Sequence, residues 1–401
     1  MNALIFAWRS LVRQPARAIL GILGIAAVGA LLFDMLLLSN GLVLSMQDLL
    51  ERTGFDIRVS AGSSAPPWNG PDIPDATAIA AALAALPEVD AVVPIRSGYG
   101  DIPRTGERLP VSVSVMGAET AGRRVWTVVE GRDLGRDHHD GEALLNRNLA
   151  NRLKQRPGDS LELHGHCTAG PSAVPAVTLR IAGVAEFPFE TAGEMTLATS
   201  LRDFDRACGG TGRDIADQLL VASSAGSGVE AASAAIERRR PDLQALTNEQ
   251  VVARLQQGGL SYFRQISIVL VTVTVSFAFL LVTVLLTVAV NQRLGEIAAL
   301  RALGFSQRRV VADVLCESAL LVGSGAALAL PLGLALARGL DWILKAIPGM
   351  PSDLHFFVYQ PRAVVIHVAL FAVTALLAAA YPMRMVARLP IAATLRKEVV
   401  S

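Results

Sequence analysis

Residues 266–290 read ISIVLVTVTVSFAFLLVTVLLTVAV, an apolar run with no charged side chain. About 20 such residues, at about 1.5 Å rise each, span the hydrocarbon core of a bilayer. Lipid offers a backbone no hydrogen-bond partner, so a run of this length is satisfied only as a helix across the membrane. Three further runs qualify. Ile19–Leu38 holds one charge, Asp34; Ala319–Leu340 contains Pro331 and Arg338; Val364–Tyr381 has His367 near its start. Composition agrees with this reading. Charged residues are 18% and hydrophobic residues 52%, with mean hydropathy +0.44. An ordinary soluble domain carries about 25% charge. The chain therefore reads as a membrane unit plus a sizeable polar domain, and a net charge of +1 gives no sign of a nucleic-acid partner.

The first run exceeds the apolar core of a signal peptide, about 7–15 residues, and reads as an uncleaved helix. Orientation follows from the basic residues beside the runs. Arg9, Arg13 and Arg17 precede the first; Arg293, Arg301, Arg308 and Arg309 lie between the second and third; Arg384, Arg388, Arg396 and Lys397 follow the fourth. Between the third and fourth, Asp341 and Asp353 offset Lys345 and Arg362. All three basic segments are expected in the cytoplasm, with both termini. The layout is then a cytoplasmic segment at 1–18, spans at 19–40, 266–290, 319–340 and 364–381, and an extracytoplasmic domain at 41–265. A loop at 291–318 and a tail at 382–401 are expected to be cytoplasmic, and a short outer loop occupies 341–363.

The outer region is patterned. Phe55–Ser60 and Val111–Val115 alternate as strands do, and Ser160–Leu163 and Thr178–Glu186 read as further strands. Asp75–Leu86 reads as a helix ended by Pro87, and Glu142–Leu153 as another. Gly228–Arg239 is expected to be helical, with Ser227 and Glu230 as a capping box. Thr247 and Gln250 form a second such box, opening a helix that runs through Tyr262 toward the second span. The fold class expected is a membrane protein of four transmembrane α-helices with a large α+β extracytoplasmic domain of two lobes.

Several residues stand out. Asp34 is an acid inside a span, a functional candidate by default, although it could also reach water or pair with a neighbouring helix. Gly325, Ala329, Gly333 and Ala337 place small residues on one helical face, which suits close helix packing within the chain or a seam between two copies. Cys167 and Cys208 fall in the polar region and could form a disulfide in an oxidising compartment. His138-His139-Asp140 and His164-Gly165-His166-Cys167 look like ligands locally but sit beside loop-like sequence; a metal site needs several ligands converging in space, and no metal is expected. None of the lysines, Lys154, Lys345 and Lys397, follows a Gly, so the sequence holds no phosphate-cradling P-loop. No nucleophile-elbow or paired-carboxylate pattern appears, and no catalytic residue is expected.

Four segments carry a family resemblance. Residues 291–319, NQRLGEIAALRALGFSQRRVVADVLCESA, resemble the FtsX-domain signature of Glu-Ile, Arg-Ala-Leu-Gly, a basic turn and a helix leading into a span. The tail YPMRMVARLPIAATLRKE resembles a MacB-type ending, with Thr394 where the last Ala would stand. WRSLVRQPARAILGILGIAAV is similar to the family's leading helix, and GEALLNRNLANRLKQRPGDSLEL to part of the MacB outer domain. The chain thus resembles permeases of the MacB/FtsX type of ABC transporter, the lipoprotein-release and macrolide-exporter group. The resemblance implies a dimer of permease chains in a bacterial inner membrane, with ATP and Mg bound by a separate cytoplasmic ATPase. It implies docking of that ATPase at Arg293, Glu296, Arg301, Gly304 and Arg308, where the plainer reading is a solvated basic loop. It implies export or extraction of lipoprotein or lipid, with a periplasmic membrane-fusion or lipoprotein-carrier protein as a further partner. The alternative is an FtsX-like scaffold that passes motion to an envelope enzyme and transports nothing.

Overall fold

The computed structural model describes residues 12, 15–62, 71–104, 109–119, 122–135, 141–166, 175–191, 193–210, 212–257, 261–292, 294–304, 306–345 and 355–387. The chain divides into two compact units. One comprises Met1–Leu42, Tyr262–Ile343 and Phe356–Ser401; the other comprises Val43–Ser261 and Leu344–His355.

The first unit is a helix bundle. Among the described residues, four helices are long and apolar enough to cross a membrane: α1 (Pro15–Arg52), α7 (Ser261–Asn291), α9 (Gln307–Lys345) and α10 (Pro361–Ala387). Each is longer than its apolar run. Helix α1 does not stop near Asn40. Its last turns already belong to the second unit, where Val43, Met46 and Leu50 prolong the apolar face and pack with Leu246 and Val251. In α7, the hydroxyls of Thr272, Thr274, Ser276, Thr283 and Thr287 each donate to the carbonyl four residues back, at 2.7–2.8 Å. A hydroxyl satisfied by its own helix carries no unpaired polar group into lipid.

Helices α1 and α9 interlock at four levels. Leu321 packs on Gly21, Ile25 on Gly325, Ala329 on Gly29 and Phe33 on Gly333. A Cβ added to Gly325 would come within 2.6 Å of Ile25 Cγ2, and one on Gly29 within 2.6 Å of the Ala329 Cβ. Contacts advance by four residues on both helices together, so the two run parallel. Helix α10 runs the other way: Phe371 lies against Gly29 while His367 lies against Phe33. The start of α1, the start of α9 and the end of α10 therefore share one end of the bundle. That is the arrangement the basic flanks require.

The second unit is α+β. Its main sheet has ten strands among the described residues, in the order β12-β1-β11-β3-β4-β9-β6-β8-β5, with β7 pairing with β3 and β8. The strands are β1 (Ile57–Ala61), β3 (Val89–Ile102), β4 (Val111–Ala118), β5 (Thr127–Gly131), β6 (Glu142–Leu145), β7 (Ser160–His166), β8 (Val177–Glu186), β9 (Thr196–Ser200), β11 (Gln218–Ser223) and β12 (Leu243–Thr247). A small sheet pairs β2 (Ile73–Pro74) with β10 (Ile215–Ala216). Two helix-covered cores make two lobes. Helices α2 (Ala76–Ala84) and α5 (Val229–Arg239) cover Ile57, Val59, Leu219 and Val221; α3 (Arg147–Leu153) and α4 (Leu201–Ala207) cover Val113, Leu163, Leu179 and Leu197. A third core, around Phe55, Ile95, Trp126 and Leu144, joins residues from strands of both lobes.

The expected strands form, and Val111, Val113 and Val115 point inward as their alternation predicts. The helix expected over Glu142–Leu153 begins only at Arg147. Ala143, Leu144 and Leu145 are fully buried as β6, between β8 and β9, and this tertiary pairing outweighs their helix propensity. Asn146 then starts the helix, its side chain accepting from Leu149 N at 2.9 Å. The box at Ser227 does not form. The N-cap is Gly228 at φ 80°, with no side-chain cap. The box at Thr247 does: Thr247 Oγ1 accepts from Gln250 N and Gln250 Oε1 from Thr247 N, both at 3.2 Å. Helix α6 (Asn248–Gln257) follows; whether it continues into α7 falls on residues 258–260, outside the described residues.

Candidate functional site: the α7–α9 connection and the bundle interior

Helix α8 (Leu294–Ala302) is a short element between two spans. Its inner face buries Ile297 and Ala298, with Ile297 packed on Val290 of α7 and Val310 of α9. Its outer face presents Glu296, in the first turn, where a carboxylate also favours the helix dipole. Gly304 follows at φ 90°. A Cβ there would meet nothing, so it is the left-handed backbone, not space, that selects glycine. Ser306 restarts the chain, its carbonyl accepting from Arg309 N and Val310 N.

Of the sequence candidates for docking, Glu296 and Gly304 are thus both exposed. Arg301 lies in α8 and Arg308 at the start of α9, with side chains outside the described residues, as is the whole of Arg293. Sequence reasoning missed Leu303. It is 77% exposed beside Gly304. A large apolar side chain held out on a rigid turn is suited to bury itself in a partner. The only signal for it in the sequence is its place inside Arg-Ala-Leu-Gly.

Asp34 is fully buried in the bundle, and neither carboxylate oxygen has a hydrogen-bond partner among the described residues. The two simpler expectations, contact with water or a pair with a neighbouring helix, are not met among those residues. His367 is also fully buried, its ring edge-on to Phe33 at 5.4 Å and tilted on Phe371 at 4.9 Å. The stripe Gly325, Ala329, Gly333 and Ala337 faces α1 of the same chain, the last beside Phe33 and Leu37. Its close-packing capacity is used within the chain.

In the outer unit Cys208 is disulfide-bonded, while Cys316 in the bundle is free; Cys167 lies outside the described residues. His138 and His139 also lie outside them. His166 Nε2 stands 2.7 Å from Asp101 Oδ2, and Ser112 Oγ donates to the other oxygen at 2.7 Å. No group of three His, Cys, Asp or Glu converges on a metal position among the described residues.

With this geometry established, comparison places the chain. A model of the MacB-like periplasmic core domain matches residues 18–239, more than half of the sequence, and one of the FtsX-like permease C-terminal domain matches residues 268–391. The chain belongs to the MacB/FtsX family of ABC-type permeases. The second match spans α7 to α10, with the α8 turn between its first two helices. Solved structures are similar to the outer unit. The periplasmic region of MacB from Actinobacillus actinomycetemcomitans is 13% identical, with TM-score 0.38, over 52% of this chain and 98% of that one. The extracellular domain of YknZ, a noncanonic ABC-type transporter from Gram-positive bacteria, is 12% identical, with TM-score 0.35, over 48% of this chain and 99% of that one. No curated protein matches. The MacB/FtsX permease is a multi-pass membrane protein with a MacB-like outer domain.

Proposed function

We propose that this permease carries the ATP-driven motion of a separate cytoplasmic ATPase to its extracytoplasmic domain, for export or for extraction of a lipoprotein or lipid. The observation that carries the reading is the α8 turn: a short helix clamped between two spans, holding Glu296 and Leu303 outward at the end of the bundle where α1 and α9 start and α10 finishes. A rigid element is what a docking contact needs if force applied to it is to move the spans and not merely bend a loop. The basic flanks put that end in the cytoplasm. The bonded Cys208 supports an oxidising compartment for the outer unit. We place the protein in a bacterial inner membrane, with a second permease chain completing the assembly and a periplasmic partner receiving the cargo.

The test is co-purification with the ATPase encoded beside it, followed by ATP hydrolysis in lipid. Glu296→Lys and Leu303→Ala are each expected to weaken the complex at least tenfold while the chain still inserts and melts normally. An intact complex with both changes would remove α8 as the docking element. A complex that hydrolyses ATP but activates an envelope hydrolase and moves no cargo would favour the scaffold reading.

A further inference from the structure

Arg58 is a charged side chain only 5% exposed. It projects from β1, where its cross-strand neighbours are Leu220 on β11 and Leu246 on β12. Neither Nε nor Nη2 has an acceptor among the described residues, and the guanidinium lies 5.9 Å from the centre of the Phe189 ring. Leu246 and Phe189 belong to an apolar cluster with Met46 and Leu50 of α1 and Leu255 of α6. Burial pulls the guanidinium pKa down to about 10, so the group is still protonated at neutral pH. A guanidinium has five donors; the three on Nε and Nη2 are buried without an acceptor among the described residues, which is unfavourable even with the Phe189 ring beside the group. Such a group persists where an acceptor arrives in another state of the protein.

We propose that Arg58 anchors a binding site for an anionic amphiphile, an oxyanion carried on an apolar tail. The oxyanion is a phosphodiester or a carboxylate, since both match the planar fork. The tail follows from the surroundings. A small hydrated anion would lose its water to gain one guanidinium among leucines, whereas an amphiphile also buries apolar surface against Met46, Leu50 and Leu255. Phe189 covers the site from the turn that follows β8. Its φ is +65°, a conformation strained for an aromatic residue and held there by the turn. This site lies in the outer unit and is independent of how ATPase docking proceeds.

The test is calorimetric titration of the full chain, in an uncharged detergent, with dihexanoyl-phosphatidylglycerol and with octanoate. Octyl glucoside and inorganic phosphate serve as controls. Saturable binding of at least one anionic amphiphile is expected, and the tighter of the two identifies the headgroup. Arg58→Met is expected to fold, since it replaces a buried charge with an apolar side chain of similar length. It should weaken binding at least tenfold. Phe189→Gly, which removes the covering ring and suits the left-handed backbone, should tighten it. Equal binding by octyl glucoside, equal binding by inorganic phosphate, or unchanged affinity in Arg58→Met would each overturn the proposal. So would the absence of saturable binding by both anionic amphiphiles to the unaltered chain.

Discussion

The Phe33 ring lies over Gly333 so closely that a Cβ there would stand 2.9 Å from it, while one turn earlier the fit inverts and Ala329 enters the space above Gly29. Larger side chains at either glycine must displace a helix. Gly29→Val and Gly333→Val are expected to destabilise the bundle by about 1–3 kcal/mol each, the usual cost of overpacking. Gly339→Ala lies on the same helix α9 with nothing within 4 Å, and should be neutral or stabilising by about 0.5–1 kcal/mol. Thermal melts of the purified chain in detergent discriminate the two classes. Equal effects at all three positions would mean that the interlock contributes nothing.

The turn at Gly304 makes a second prediction. With φ at +90°, any L side chain there is strained although space is open. Gly304→Val should cost about 1–2 kcal/mol locally. Because α8 is short and peripheral, the loss should appear as weakened ATPase binding and not as a lower melting temperature. Surface plasmon resonance beside a melt separates these, and a melt that falls with binding unchanged would contradict the docking role.

The Thr247–Gln250 box joins β12 to α6. Removing its hydroxyl by Thr247→Ala should destabilise the outer unit by about 1 kcal/mol, with Thr247→Ser restoring most of it. Ser227→Ala should change nothing of note, since Ser227 caps no helix. Denaturant titrations of the three variants provide the comparison.

Asp101 predicts a pH effect. Burial pushes its carboxyl up, but hydrogen bonds from Ser112 and His166, and the charge of His166 and His164, outweigh burial and leave it below the ordinary range. A carboxyl depressed in the folded state lends stability that is fully present above its unfolded value of about 3.9, and that stability is lost as pH falls through the folded value. Asp101→Asn should therefore lower stability near neutral pH, by no more than about 1 kcal/mol for so exposed a pair. The difference from the unaltered chain should vanish in strong acid. A difference independent of pH would show that the carboxylate's charge plays no part.

Much of the bundle was legible because lipid leaves few alternatives. The run 266–290 has no charge, and the basic flanks then fix which ends lie together. The small-residue stripe was legible as a packing face, but its partner was not. Spacing on α9 says nothing of Gly21, Ile25, Gly29 and Phe33, which come from a helix at the other end of the sequence. In the outer unit, local rules failed where a tertiary neighbour changed the balance. Ala143–Leu145 suit either a helix or a strand, and pairing with β8 and β9 decides for strand. Ser227 has the right chemistry for a cap, yet the chain turns into α5 at Gly228.

By itself the sequence determined four spans, the basic flanks from which their orientation is expected, the strands whose alternation shows one buried face, and the turn at Gly304. These follow from period, length and charge, which are local or one-dimensional. Only the tertiary structure decided that the stripe on α9 is filled by α1, that Leu303 stands exposed, that Asp34 and His367 are sealed in the bundle, and that Arg58 is buried among apolar side chains. Each of these depends on what distant chain segments place against a side chain, and burial and satisfaction of a polar group exist only once those segments have met.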